Sequence, residues 1–333
     1  MNHLKKIGLI LTCFFIFSCE REVEISIDPP EPSAVLNASL SADSIIMATI
    51  SRTVSNMYYD IPEHGPSYFL DEAQIEVFIN DKKQGVMEKG ENPGQYRLPG
   101  YSPSAGDNVR MEVQTGDFKP LSAEVLIPSQ PEILSVDTQM YHTHPDSYYG
   151  RINSINVGLR FKETREGTNY YMLAVSGYGV SKNKTPEETN TFVFITHDDD
   201  MLFEELQPSY FSGYNQYAPV FIFSNRSVDS GEYTLKFTIN NVFTSYYDDS
   251  LSFTSICRVY LYSISESYYL YCRSKLLQWK QKEDPFGSIG LREPIPTYTN
   301  VRNGYGLLSA KQVAIYELKV APGDIPPSEY YTY

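Results

Sequence analysis

Basic residues are in short supply in this chain: 27 stand against 41 acidic ones, for a formal net charge of −14. A surface of that sign repels phosphate backbones and anionic headgroups, which excludes nucleic acid as a partner and a membrane held by a basic patch. Histidine is scarce at five residues, tryptophan is limited to one and cysteine to four. The apolar run from Ile7 to Phe17 is broken by Gly8 and Thr12. It falls short of the roughly 20 residues that a bilayer-spanning helix needs. Missing too are a nucleophile elbow, a zinc-protease helix and a phosphate-binding loop, so no catalytic residue is assigned and no cofactor is expected.

What the chain does have begins with a processing signal. Lys5 and Lys6 precede the apolar run, which ends in Ile16-Phe17-Ser18-Cys19. This looks like a bacterial lipobox: an aliphatic residue, a spacer, a small residue that fits the peptidase pocket, and a cysteine whose thiol accepts diacylglycerol. Residues 1–18 therefore read as a lipoprotein signal peptide and Cys19 as the lipidation site. Loss of the two lysines lowers the net charge from −14 to −16, which leaves the lipid as the membrane link. Residues 19–32 read as an acidic, proline-stiffened tether. Its first residues, Glu20-Arg21-Glu22-Val23-Glu24, resemble the surface-export signal of Bacteroidetes lipoproteins. The expected location is the outer membrane, lipid-anchored and facing the cell exterior.

Tyrosine is the conspicuous excess, with 28 residues beside 17 phenylalanines. Both suit half-buried pleated surfaces, and tyrosine also suits exposed recognition faces. Period-two patterning runs through Ala34 to Leu40, Ile45 to Ser51, Gln74 to Asn80 and Val109 to Val113, with turn residues between. This predicts an N-terminal β-sandwich over 33–128, of immunoglobulin or transthyretin type. The loop from Asn56 to Tyr68 is long enough to be functional, which makes Tyr58, Tyr59 and His64 candidate ligand-binding residues. The prolines of Ile127-Pro128-Ser129-Gln130-Pro131 mark a domain boundary. Beyond it, strands over Ile152 to Lys162, Asn169 to Val180, Thr191 to Thr196, Pro219 to Ser224, Tyr233 to Ile239 and Ser255 to Tyr262 predict a larger C-terminal β-domain, 129–333. One helix, about 265–282, is predicted from the Ser265 N-cap and the stripe Tyr268, Cys272, Leu276, Trp279, expected to pack on the second sheet. Gly304 and Gly306 suggest a turn before a closing strand, Val313 to Val320. The fold class is thus mainly β, two tandem sandwiches with one helix near the C-terminus.

Candidate chemistry is thin. His142 and His144 would share one side of an extended segment, with Asp146 as a third ligand, but the spacing is weak for a metal site and an ordinary loop before Pro145 is the favoured reading. His197-Asp198-Asp199-Asp200 lacks the spaced glycine and terminal glutamate of a calcium loop and reads as a solvated acidic loop. Cys13 departs with the signal and Cys19 is acylated. That leaves Cys257 and Cys272 either as a disulfide or as two buried free thiols.

Taken in order, several motifs resemble the Bacteroidetes outer-membrane lipoprotein family called domain of unknown function 4249. They are the lipobox, the leader to Pro32, Val35 to Leu40, Ile50-Ser51-Arg52, Ala73 to Phe78 and Gly94-Gln95-Tyr96. Ile127-Pro128, the Tyr-rich helix, Asp284-Pro285-Phe286 and Asn303-Gly304-Tyr305-Gly306 complete the series. Members are often encoded beside TonB-dependent transporters. The resemblance implies a non-enzymatic accessory subunit that captures a nutrient or other ligand for such a transporter. The alternatives are a structural or adhesive envelope protein and a hydrolase of extracellular polymer.

Overall fold

The computed structural model describes residues 31–54, 68–147, 150–163, 167–181, 189–191, 194–197, 203–206, 220–227, 231–244, 253–288 and 290–320. The architecture is mainly β with one long helix near the C-terminus, as the periodicity predicts.

Strands β1 (Ala34–Leu40), β2 (Ile46–Arg52), β3 (Ala73–Ile79), β4 (Lys82–Val86), β5 (Glu88–Lys89), β6 (Gln95–Leu98), β7 (Asn108–Thr115) and β8 (Leu121–Leu126) form the first sandwich. One sheet runs β4-β3-β7-β8 and the other contains β1-β2-β6-β5. Alternation turns Leu36, Ile46, Ile50, Ile75, Val77, Met111 and Val125 into a single buried core between them.

The second sandwich uses β9 (Glu132–Ser147), β10 (Gly150–Lys162), β11 (Tyr170–Ser181), β12 (Thr189–Thr191), β13 (Phe194–His197), β14 (Phe203–Leu206), β15 (Val220–Ser224), β16 (Glu232–Thr244) and β17 (Phe253–Ile264). Sheet β13-β16-β10-β9 faces β14-β15-β11-β17, with β12 paired to β11. Phe161, Tyr171, Phe223 and Tyr233 pack in edge-on and stacked contacts within that core.

Helix α1 (Glu266–Glu283) covers the far face of the second sandwich. Ser265 is its N-cap, accepting from the Tyr268 amide at 3.3 Å. Tyr269, Cys272 and Leu276 bury against Tyr170, Met172, Ile222 and Ile264. Tyr269 takes the central place that the spacing assigns to Tyr268, which sits half-buried beside it.

The last strand, β18 (Tyr305–Val320), joins the two sandwiches. Its first six residues pair in parallel with β1, Val35 opposite Tyr305 through Leu40 opposite Ala310. Its remainder pairs antiparallel with β17, Ile264 opposite Lys311 through Ser255 opposite Val320. The result is one ten-stranded sheet running through both halves. Val301, Leu308 and Ala310 thereby enter the first core. Residues 301–310 therefore contribute to the first sandwich.

Glycine makes the parallel entry feasible. The turn falls on Asn303 (φ 62°), and the strand starts at Tyr305, eight residues before the sequence pattern places it. Gly306 has φ +108°, and a Cβ there would lie 2.0 Å from the Leu36 carbonyl oxygen. At Gly304 a Cβ would meet the Ala34 oxygen and a Leu121 methyl, each at 2.5 Å. Only bare backbone fits beside β1 at these points.

Candidate functional site

Where β18 changes partners, the two sandwiches and the start of α1 converge around a cavity of about 470 Å³. One wall is the outer face of the first sandwich, with Arg110 on β7 and Ser122 and Glu124 on β8. The opposite wall is the beginning of β11, the end of β17 and the first turn of α1, with Asn169, Tyr170 and Glu266. The segment leading into β18 closes the back through Tyr298, Asn300 and Arg302.

The walls are held by specific bonds. The Arg302 amide donates to the Ser122 carbonyl at 2.8 Å. Asn300 acts as a substitute strand. Its Nδ2 donates to the carbonyls of Leu308 (2.9 Å) and Glu124 (3.1 Å), and its Oδ1 accepts from the Leu308 amide at 3.0 Å. Ser265 serves two elements: besides capping α1, its hydroxyl accepts from the Ala310 amide at 3.1 Å, while its own amide donates to the Ala310 carbonyl at 2.8 Å. The helix start is thus fastened to the residue at which β18 leaves β1.

On the second wall, Tyr170 links two charges. Its hydroxyl donates to Glu266 Oε1 at 2.6 Å and accepts from Arg226 Nη2 at 2.8 Å. Burial, then the bond to Glu266, pushes the phenol above its ordinary value, so it remains a neutral donor. The Tyr269 ring packs on Tyr170 at 4.7 Å between centroids. At the rim, Asn225 ties Asn169 and Gly167 together, accepting from the Asn169 amide at 2.8 Å and donating to the Gly167 carbonyl at 2.8 Å. Asn225 also bonds Glu163, which accepts from Tyr233 at 2.9 Å.

Both signs of charge face this cavity, with Arg110 and Arg302 against Glu124 and Glu266. Glu266 is compensated by Arg226 at 3.7 Å. Arg110 lies over the Phe78 ring at 4.0 Å and pairs with Glu112. Arg302 is exposed, and its guanidinium has no ion-pair partner among the described residues. Arg110 and Glu124 are cross-strand neighbours on one wall, so the two signs are interleaved, and the arrangement can hold a ligand that carries charges of both signs.

Of the residues singled out from sequence, Cys19, Tyr58, Tyr59 and His64 lie outside the described residues. His142 and His144 are on β9, where the pairing with β10 slips: His142 opposes Asn153 and His144 opposes Ile152. Their side chains, and that of His197, lie outside the described set, as do 198–200. Among the described residues no group of three or more His, Cys, Asp or Glu side chains is placed to hold a metal. Cys257 and Cys272 are free thiols. One sheet separates them, with Cys257 between the sandwich layers and Cys272 on the buried face of α1. The cleft residues Arg110, Tyr170, Glu266, Asn300 and Arg302 were not signalled by any motif. Of that neighbourhood only the Ser265 cap was legible.

Two β-sandwiches that share a strand and enclose a cleft of mixed charge at their junction define a mainly-β protein. The chain belongs to the family "Domain of unknown function (DUF4249)", whose model matches residues 20–317. No curated protein matches it. A similar solved chain is titled "Biofilm associated protein - BSP domain", at 7% identity and a TM-score of 0.17. That alignment covers 89% of this chain and 62% of the other, so this chain spans less than two thirds of its length.

Proposed function

We propose that this protein is a non-catalytic ligand-capture lipoprotein, anchored to the outer membrane through Cys19, facing outward and serving a TonB-dependent transporter. The observation that carries the reading is the cleft at the sandwich junction. Its volume of about 470 Å³ lies within the range of small-ligand sites. Its two arginines and two glutamates favour a ligand carrying both charges, of which a short peptide is the simplest. A lipid anchor accords with a body whose net negative charge has no affinity for anionic headgroups.

Titration calorimetry of the full chain with a pool of short synthetic peptides tests the site. Arg302→Ala and Glu124→Ala remove one charge each from exposed positions and should each weaken binding about tenfold. Raising the salt concentration should weaken it further. Unchanged affinity in both variants, or no peptide bound, refutes the cleft. For the anchor and partner, Cys19→Ser should move the protein out of the membrane fraction. The wild type should bring down a transporter from solubilised outer membrane, and failure of either overturns that part.

A further inference from the structure

A second cavity, about 390 Å³, lies on the other side of the segment that closes the cleft. Its floor is the outer face of the β1–β18 parallel pair, presenting Asn37 and Ser39. Its wall is Tyr271 of α1 with Tyr298 and Thr299, and Tyr305 stands at its lip. We infer that this groove is a binding site for a neutral oligosaccharide. The inference is independent of the cleft.

Three observations carry it. First, none of the side chains lining the groove is charged, in a chain with 27 basic and 41 acidic residues. An ionic ligand there would lose hydration without a counter-charge among the lining residues, whereas a neutral one is not penalised.

Second, hydrogen-bonding capacity is left over. The Tyr271, Tyr298 and Tyr305 hydroxyls have no hydrogen-bond partner among the described residues. Asn37 uses its Oδ1 for the Leu307 amide at 3.1 Å, which leaves its Nδ2 to donate. Burial raises the Tyr271 and Tyr298 phenols, which keeps them neutral donors. Tyr305 is 55% exposed, a large ring offered to solvent.

Third, the floor offers no continuous run of free backbone. β1 is paired with β18 from Val35 to Leu40 and with β2 as far as Asn37, and on the far edge of β18 the Leu308 and Ala310 backbone groups bond Asn300 and Ser265. An extended peptide finds no open strand edge of useful length there, so a ligand must be held mainly by side chains. Ring faces beside hydroxyls and an amide match a molecule with apolar C–H faces and a hydroxyl rim, which is the surface of a sugar ring.

The test is affinity electrophoresis and calorimetry of the full chain with xylohexaose, maltohexaose and cellohexaose, beside oligogalacturonate and chitosan oligomers as anionic and cationic counterparts. At least one neutral hexaose should bind, with an affinity that changes less than about twofold between about 0.05 M and about 0.5 M salt. Tyr305→Ala removes an exposed ring, and Asn37→Asp keeps the acceptor for the Leu307 amide while losing the donor. Each should weaken sugar binding about tenfold while leaving the melting temperature in place. Arg302→Ala and Glu124→Ala should leave it unchanged, which separates the groove from the cleft. No neutral sugar bound, binding confined to the charged oligomers, or affinity indifferent to both groove substitutions would each overturn the inference.

Discussion

Replacing Gly306 by alanine should break the join between the sandwiches. The added Cβ would lie 2.0 Å from the Leu36 oxygen and 2.7 Å from its carbonyl carbon, and both are backbone atoms. No rotamer change relieves the contact, because Leu36 is itself held in register opposite Ile50 on β2. Holding alanine at a φ of +108° costs about 1–3 kcal/mol. If β18 retreats instead, Leu308, fully buried in the first core, is withdrawn at a cost of about 1.5–3 kcal/mol. Either route costs about 1–3 kcal/mol before the backbone clash itself is relieved, a sizeable share of the roughly 5–15 kcal/mol that stabilises a typical fold. Urea unfolding followed by far-ultraviolet circular dichroism and by Trp279 fluorescence on α1 measures it. Gly100→Ala is the control. Gly100 also has positive φ, +77°, but nothing lies within 4 Å of its Cβ position, so it should lose only about 1–2 kcal/mol. If Gly306→Ala loses no more than Gly100→Ala, the close approach of β18 to β1 does not constrain the fold as argued.

Ser265→Ala should cost about 2 kcal/mol in the same assay, because it removes the cap on α1 and orphans the Ala310 amide; a loss below about 0.5 kcal/mol would refute the double role. Tyr170→Phe deletes the hydroxyl between Arg226 and Glu266 and should lower stability by about 1 kcal/mol, since both charged partners are exposed. Burial pushes the Cys257 and Cys272 thiols up to about 12 from 9.0. Their folded values exceed the unfolded ones, so the stabilisation is complete below pH 9.0 and is lost as pH rises towards 12. Stability should therefore decline over that alkaline window, and a thiol reagent at neutral pH should label neither cysteine before unfolding. Rapid labelling of the native protein would contradict their burial.

The parts of the fold visible in the sequence are those encoded by near neighbours. Leu36, Ala38 and Leu40 alternate with Asn37 and Ser39 because one face of β1 meets the core, and Ser265 announces α1 because capping is local. Strand β9 is hidden because it is an edge strand, paired among the described residues with β10 alone, and much of its run from Glu132 to Tyr141 is exposed. The residues it turns to the core, Ile133, Val136 and Met140, are only partly buried and fall at spacings of three and four, so there is no period-two alternation to detect. The partner switch of β18 was hidden for another reason. The Asn37 to Leu307 bond spans 270 residues, and the need for glycine at 306 exists only once Leu36 lies beside it. Arg110, Arg302 and Glu124 look like ordinary surface charges along the chain, and only the approach of the segment before β18 to the β7–β8 pair brings them to one cavity.

The shared strand also orders events in time. Residues 34–126 supply nearly all of the first core, yet Val301, Leu308 and Ala310 arrive from the far end of the chain. During synthesis, β1 must wait for its parallel partner while the whole second sandwich is made, and closing so long a loop is entropically slow. Until then the outer edge of β1 is open, with its amides and carbonyls available to any passing strand. Among the described strands the first to emerge is therefore among the last to be completed, and its edge stays exposed until β18 is in place.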